Sequence, residues 1–171
     1  MASDTSGVRG CGTWCGTHWF QVEWDNRSRD LNIAVKELIP IIIAAVVWGK
    51  DWQGCNLRAY CDNAAVVAVV NSRCCKDKNL MQLLRCLFFI EAHFQFKIAA
   101  THIPGSHNDL ADDLSRNRGA SFKSKMRSAD TNSSLIPISL LQWLLRPKLD
   151  WFSPNCSCSI LLFARNSPIH T

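Results

Sequence analysis

No stretch of this sequence is apolar for long enough to cross a bilayer. The longest, LIPIIIAAVVW, covers 11 residues, where a spanning helix needs about 20; it reads as a buried helix. The opening residues MASDTSGVRG hold no apolar run, so no secretory signal is expected. Zinc-ribbon spacing is lacking too. Nine cysteines stand at 11, 15, 55, 61, 74, 75, 86, 156 and 158. None forms a ribbon pair with a matching second pair, and Cys156 and Cys158 are too close for C-x2-C. They read as reduced thiols of an intracellular protein, mostly small buried side chains. Internal repeats are absent. Acids are few, 14 against 19 basic residues, for a formal charge of +5. That excess is compatible with a polyanionic partner without requiring one.

What is present builds a core. Apolar residues make up 47% of the 171 residues, with seven Trp and eight Phe, while 19% are charged. Such a chain fits one ordinary domain plus an appendage. Gly7, Gly10, Gly12 and Gly16 punctuate a β-rich first third, and THWFQVEW has strand-type content. NRSRDLN reads as a loop. IAVKELIPIIIAAVVWG reads as a helix in which Pro40 is tolerated if it lies in the first turn, which puts Glu37 at the helix start. CNLRAYCDN is a strand ending at Asp62, AAVVAVVNS a short helix, and KNLMQLLRCLFFIEAHF a long one with helical apolar spacing. QFKIAATHIPG is a strand running into a Pro-Gly turn, and NDLADDLSRN a short helix capped by Ser106 or Asn108.

This order implies an α/β fold: a mixed sheet with an antiparallel N-terminal hairpin, parallel later strands and flanking helices. The domain is expected to span 1–117. Residues 118–134 are polar and basic and read as a solvated linker, with a phosphate-contacting arm as the second reading. Residues 135–171 read as a helical or irregular tail, its helix stopped at Pro147.

Four acids stand out by position. Asp4 precedes a Gly-rich turn, Glu37 opens a helix, Asp62 ends a strand and Asp112 lies in the short helix. Hard divalent cations prefer carboxylate and water oxygens. Two such ions about 4 Å apart activate a water and stabilise the leaving oxygen of a phosphodiester. No single acid is diagnostic, since Asp at a strand end commonly forms a turn and Glu near a helix start commonly faces the dipole.

The ordered set is more specific. SDTSG at 3–7, VKEL at 35–38, CDN at 61–63 and HIPGSHNDLADDLSRN at 102–117 together resemble the ribonuclease H domain of reverse transcriptases. The likeness is nearest to retroelements that carry a tyrosine recombinase, the DIRS-like group, and it covers roughly residues 2–117. Residues from about 135 to 153 are similar to the segment leading towards the recombinase, so the chain is expected to be a piece of a longer polyprotein. The resemblance implies a metal-binding and catalytic set of Asp4, Glu37, Asp62 and Asp112, holding two Mg2+ ions, with Mn2+ as a substitute. Asp112 takes the acidic place of the motif A-D-x-L-S-R, which leaves Asp109 and Asp113 as solvated neighbours. The implied reaction is endonucleolytic hydrolysis of the RNA strand of an RNA–DNA hybrid, leaving a 3′-hydroxyl and a 5′-phosphate. Ser6 and Asn63 are candidate contacts to 2′-hydroxyls. The implied partners are the hybrid and the polymerase domain of the parent polyprotein, with no membrane and no small-molecule cofactor.

Two departures accompany the resemblance. The loop IPGSHNDLAD is short, Ser106 stands where cellular ribonucleases H carry a His, and His102 and His107 read as loop residues. Only three residues precede Asp4, so the first, central strand is expected to be truncated and Asp4 weakly anchored. The alternative function is accordingly a degenerate, non-catalytic fragment with weak nucleic-acid binding. Proofreading-type exonucleases expect two acids one residue apart on the first strand, and position 6 is Ser.

Overall fold

The computed structural model describes residues 1–28 and 31–145. Pro147, Cys156, Cys158 and the end of the expected tail lie outside the described residues. Strands β2 (Gly10–Cys15) and β3 (His18–Glu23) form the expected hairpin. Its two-residue loop pairs Cys15 with His18 and needs a positive φ, which Gly16 supplies at +61°. Strand β1 (Ala2–Thr5) pairs antiparallel with β2, Asp4 opposite Gly12. On its other side β1 meets β4 (Asn56–Cys61) in parallel at Ala2 and Tyr60, and the Tyr60 N–H donates to the Met1 carbonyl at 3.0 Å. Strand β5 (Lys97–His102) runs parallel to β4 along its full length. The sheet order is β3-β2-β1-β4-β5, so the fold is α/β with a mixed five-stranded sheet.

Helix α1 (Ile33–Trp48) starts at Asn32, whose side chain accepts from the Ala34 N–H at 2.9 Å. It is buried without a break from Val35 to Val46. A helix apolar all round must be covered all round. The sheet lies on one side, and α2 (Ala64–Ser72), α3 (Lys78–Phe94) and α6 (Ile138–Leu144) contribute to the same core. Ile39, Ile42, Val66, Leu84, Leu87 and Leu144 all belong to it. Pro40 does not sit in the first turn as expected: it is the eighth residue of α1 and Glu37 the fifth. Proline deprives the carbonyl four residues back of its helical donor. That carbonyl, of Lys36, instead accepts from Thr5 Oγ1 at 3.1 Å, which ties α1 to β1.

Helix α4 (Asp109–Ser115) packs on β2 at Gly12, where an added Cβ would stand 2.2 Å from Leu114 Cβ. Here glycine is required by contact. Beyond it, residues 118–134 are not a solvated linker. They carry α5 (Gly119–Lys125), whose fully buried Phe122 completes a second small core with Trp19 and Leu114. The irregular segment that follows donates from Asp130 N to Thr17 O at 2.9 Å and from Ser134 N to Trp19 O at 2.8 Å. The tail is likewise docked where described, since Leu140, Trp143 and Leu144 are buried. Among the described residues no helix is long and apolar enough to cross a membrane, and the described cysteines are free thiols.

Candidate metal centre

The site forms where β1, α1 and the end of β4 meet. Asp4 lies on the central strand with its neighbours all tied down. The Asn108 amide donates to the Ser3 carbonyl at 3.0 Å, Thr5 holds α1, and Ser115 Oγ donates to Asp4 Oδ2 at 2.5 Å. With Asp4 itself only 7% exposed, the expected weak anchoring is corrected. All four residues of β1 pair with β2, and side chains from α4 and its entry turn add to that ladder.

Glu37 projects from α1 towards the same point and is 4% exposed. Its one hydrogen-bonding side-chain partner among the described residues is the Cys61 thiol, 3.8 Å from Oε2. Asp62 follows Cys61 at the end of β4 and is half-buried. The end of β5 and the loop after it lie beside Asp62: a ring nitrogen of His102 is 3.1 Å from the Asp62 carbonyl. A Cβ on Gly105 would come within 3.2 Å of Asp62 Oδ2. Glu37, Cys61 and Asp62 present ligand atoms all within 4.8 Å of one another, a grouping able to hold a metal ion.

The electrostatics fit a cation. Burial, then the charges of Asp4 and Asp62, push the Glu37 carboxyl up to about 9 against a weaker opposing bond from Cys61. Asp4 is also raised, by burial first; the Ser115 hydrogen bond opposes this, and the Asp62 and Asp112 charges add to it. Burial and the nearby Glu37 raise the Cys61 thiol to about 12. Among the described residues no basic side chain forms an ion pair with Asp4, Glu37 or Asp62. Buried carboxylates left together without counter-charge favour protons or metal.

Asp112 stands apart. It is close enough to raise Asp4, but Arg116 Nε holds its Oδ1 at 2.6 Å and Arg118 Nη2 its Oδ2 at 2.5 Å. Asp113 is not a solvated neighbour. Its side chain is 4% exposed and pairs with Arg118 Nε at 2.9 Å and Lys125 Nζ at 2.6 Å. Burial works to raise it, but hydrogen bonds from Lys125 and Ser121 and the two cations outweigh that and hold it low. Asp109 is exposed in the first turn of α4. Ser6 and Asn63 both make local turn bonds. Ser6 Oγ accepts from the Arg9 N–H, and Asn63 Oδ1 caps α2 through Ala65 and Val66.

Sequence reasoning missed Cys61, Ser115 and the arginine pair. The clue to Cys61 was its place beside Asp62 at the end of a strand whose one face α1 must cover. Comparison with protein-family models, curated proteins and solved structures gives no match for this chain.

Proposed function

We propose that this chain is a ribonuclease H-like domain that hydrolyses the RNA strand of RNA–DNA hybrids with divalent metal. The observation that carries the reading is the convergence of Asp4, Glu37 and Asp62 from three separate elements without a basic partner among the described residues. The sheet order β3-β2-β1-β4-β5, with antiparallel first strands and parallel later ones, agrees with what the motif resemblance implies.

Asp4, Glu37 and Asp62 would hold the cations through oxygen donors suited to Mg2+ or Mn2+. When bound, such ions supply activation of a water and charge stabilisation at the leaving 3′ oxygen. The chain's own part is positional. Ser115 fixes one oxygen of Asp4, His102 braces the peptide after Asp62, and the Glu37 carboxyl, whose hold on a proton is strengthened by burial, would give that proton up on binding a cation. Arg116 and Arg118 gather positive charge at Asp112, and Lys125 at the neighbouring Asp113, where a phosphate backbone would be held. The polymerase domain of a parent polyprotein is the proposed partner in gripping substrate.

A second reading, metal and nucleic-acid binding without turnover, is favoured by one observation: both Asp112 oxygens are held by arginine. The test is to offer the purified chain a labelled RNA–DNA hybrid, single-stranded RNA and duplex DNA with Mg2+. The proposal expects cleavage of the hybrid's RNA strand alone; binding without cleavage supports the second reading.

A further inference from the structure

The metal grouping contains a donor that hard-cation chemistry does not call for. Cys61 is fully buried, its thiol faces Glu37 across 3.8 Å, and the Asn63 N–H points at the same sulfur from 3.4 Å. Magnesium gains little from sulfur, whereas zinc and cadmium bind thiolate strongly.

We propose that Glu37, Cys61 and Asp62 form a seat for one thiophilic divalent cation, of the Zn2+ or Cd2+ class, that excludes Mg2+ from the same carboxylates. The inference deepens the metal-centre reading and rests on it. A tetrahedral zinc with bonds of about 2.3 Å to sulfur and 2.0 Å to oxygen sets those two donors roughly 3.5 Å apart. The 3.8 Å between Cys61 Sγ and Glu37 Oε2 is within a few tenths of that span. Asp62, the half-exposed member, supplies the third donor from the solvent side, which leaves the fourth position for water. Three protein ligands and one open position is a set that zinc commonly takes.

A further support is the burial of Glu37, itself a member of the seat. It is 96% buried by its 4% exposure and aimed at the thiol. No cation pairs with it among the described residues. On binding, the Cys61 thiol proton passes to solvent as the sulfur–metal bond forms, and the Glu37 proton leaves in the same way. With both protons lost the seat carries two carboxylates and one thiolate, and the sulfur adds the soft donor that a thiophilic dication prefers.

Titration of the reduced, metal-free full chain with Cd2+ tests this through the ultraviolet thiolate-to-cadmium absorption. The other eight cysteines contribute a background that Cys61→Ser leaves in place. The wild-type curve is expected to exceed that of Cys61→Ser by one equivalent, and Mg2+ in large excess is expected to weaken only that increment. Glu37→Gln keeps the thiol and is expected to weaken the increment at least about tenfold, the scale on which disturbed metal-site partners act. Superimposable wild-type and Cys61→Ser curves, or an increment indifferent to both Mg2+ and Glu37→Gln, overturn the proposal. Mg2+ binding measured calorimetrically without Cd2+ separates the two levels. Its presence with no Cys61 increment refutes the thiophilic seat alone, whereas its absence together with no increment refutes the metal-centre reading as well.

Discussion

Thr5 Oγ1 donates to the Lys36 carbonyl at 3.1 Å, and that carbonyl lacks its helical donor because residue 40 is proline. One hydrogen bond therefore joins the strand that carries Asp4 to the helix that carries Glu37, one residue away from each. Removing the hydroxyl with Thr5→Val leaves a buried carbonyl unsatisfied and should cost about 1–3 kcal/mol in urea unfolding. Thr5→Ser should cost much less. In a Pro40→Ala background the N–H of residue 40 returns, and the Thr5→Val penalty should shrink in a double-mutant cycle.

Glu37 makes stability depend on pH in an uncommon direction. Its folded-state value of about 9 lies above the ordinary 4.5, so between those two values the folded chain binds a proton that the unfolded chain does not. Stability of the metal-free protein should fall as pH rises from about 5 to 9. Glu37→Gln should flatten that fall, leaving the smaller part due to Asp4, which is raised in the same sense. Mg2+ should also flatten it by replacing the proton. Chemical denaturation at several pH values, with and without Mg2+, checks both effects; a rise in stability towards pH 9 would contradict them.

Asp113 acts oppositely. Its carboxyl is held low by Lys125, Ser121 and Arg118, so its contribution is present above the ordinary carboxylate value and lost as acid protonates it. Asp113→Asn should cost about 2 kcal/mol near neutral pH through lost charge-assisted hydrogen bonds. The loss should vanish at strongly acid pH, and limited proteolysis should then cut first within residues 116–127, because the ties of α5 to Asp113 run through Arg118, Ser121 and Lys125.

Those same contacts explain what could be read from the chain and what could not. Strand-type content, helical spacing in α3 and the length of the apolar run in α1 sufficed for the hairpin, both long helices and both parallel strands. Helix α5 carries one buried apolar residue, Phe122, amid serines and lysines. It is a helix by virtue of what it docks on, and a local period could not reveal that. Asp113 looked solvated because its partners are five and twelve residues further along in a segment without pattern. Motif order singled out Asp4, Glu37, Asp62 and Asp112, of which the fold brings the first three together while Asp112 is held by Arg116 and Arg118. The anchoring of Asp4 was not legible, because Ser115 reaches Asp4 across 111 residues of sequence and Asn108 reaches Ser3 across 105.

Arg116 and Arg118 hold both Asp112 oxygens and place positive charge beside the proposed centre. Replacing either by Gln should tighten Mg2+ binding severalfold in calorimetry, since one positive charge is removed. The same change should weaken hybrid binding and lower the slope of log affinity against log salt by roughly one charge. Unchanged salt slopes would show that these arginines serve the fold and not the phosphates.

The central claim is that Asp4, Glu37 and Asp62 form a cation-dependent hydrolytic centre. The most direct measurement is RNA-strand cleavage of an RNA–DNA hybrid by the wild-type chain and by Asp62→Asn, each with Mg2+ and with chelator. Asp62 is half-exposed at a strand end, so the substitution leaves the fold intact, as circular dichroism will verify. The account predicts Mg2+-dependent cleavage that falls at least about a hundredfold in the variant, a loss of roughly 2.7 kcal/mol in transition-state stabilisation. Cleavage that persists in Asp62→Asn, or a folded wild-type chain that binds Mg2+ and hybrid yet never cuts, would contradict it.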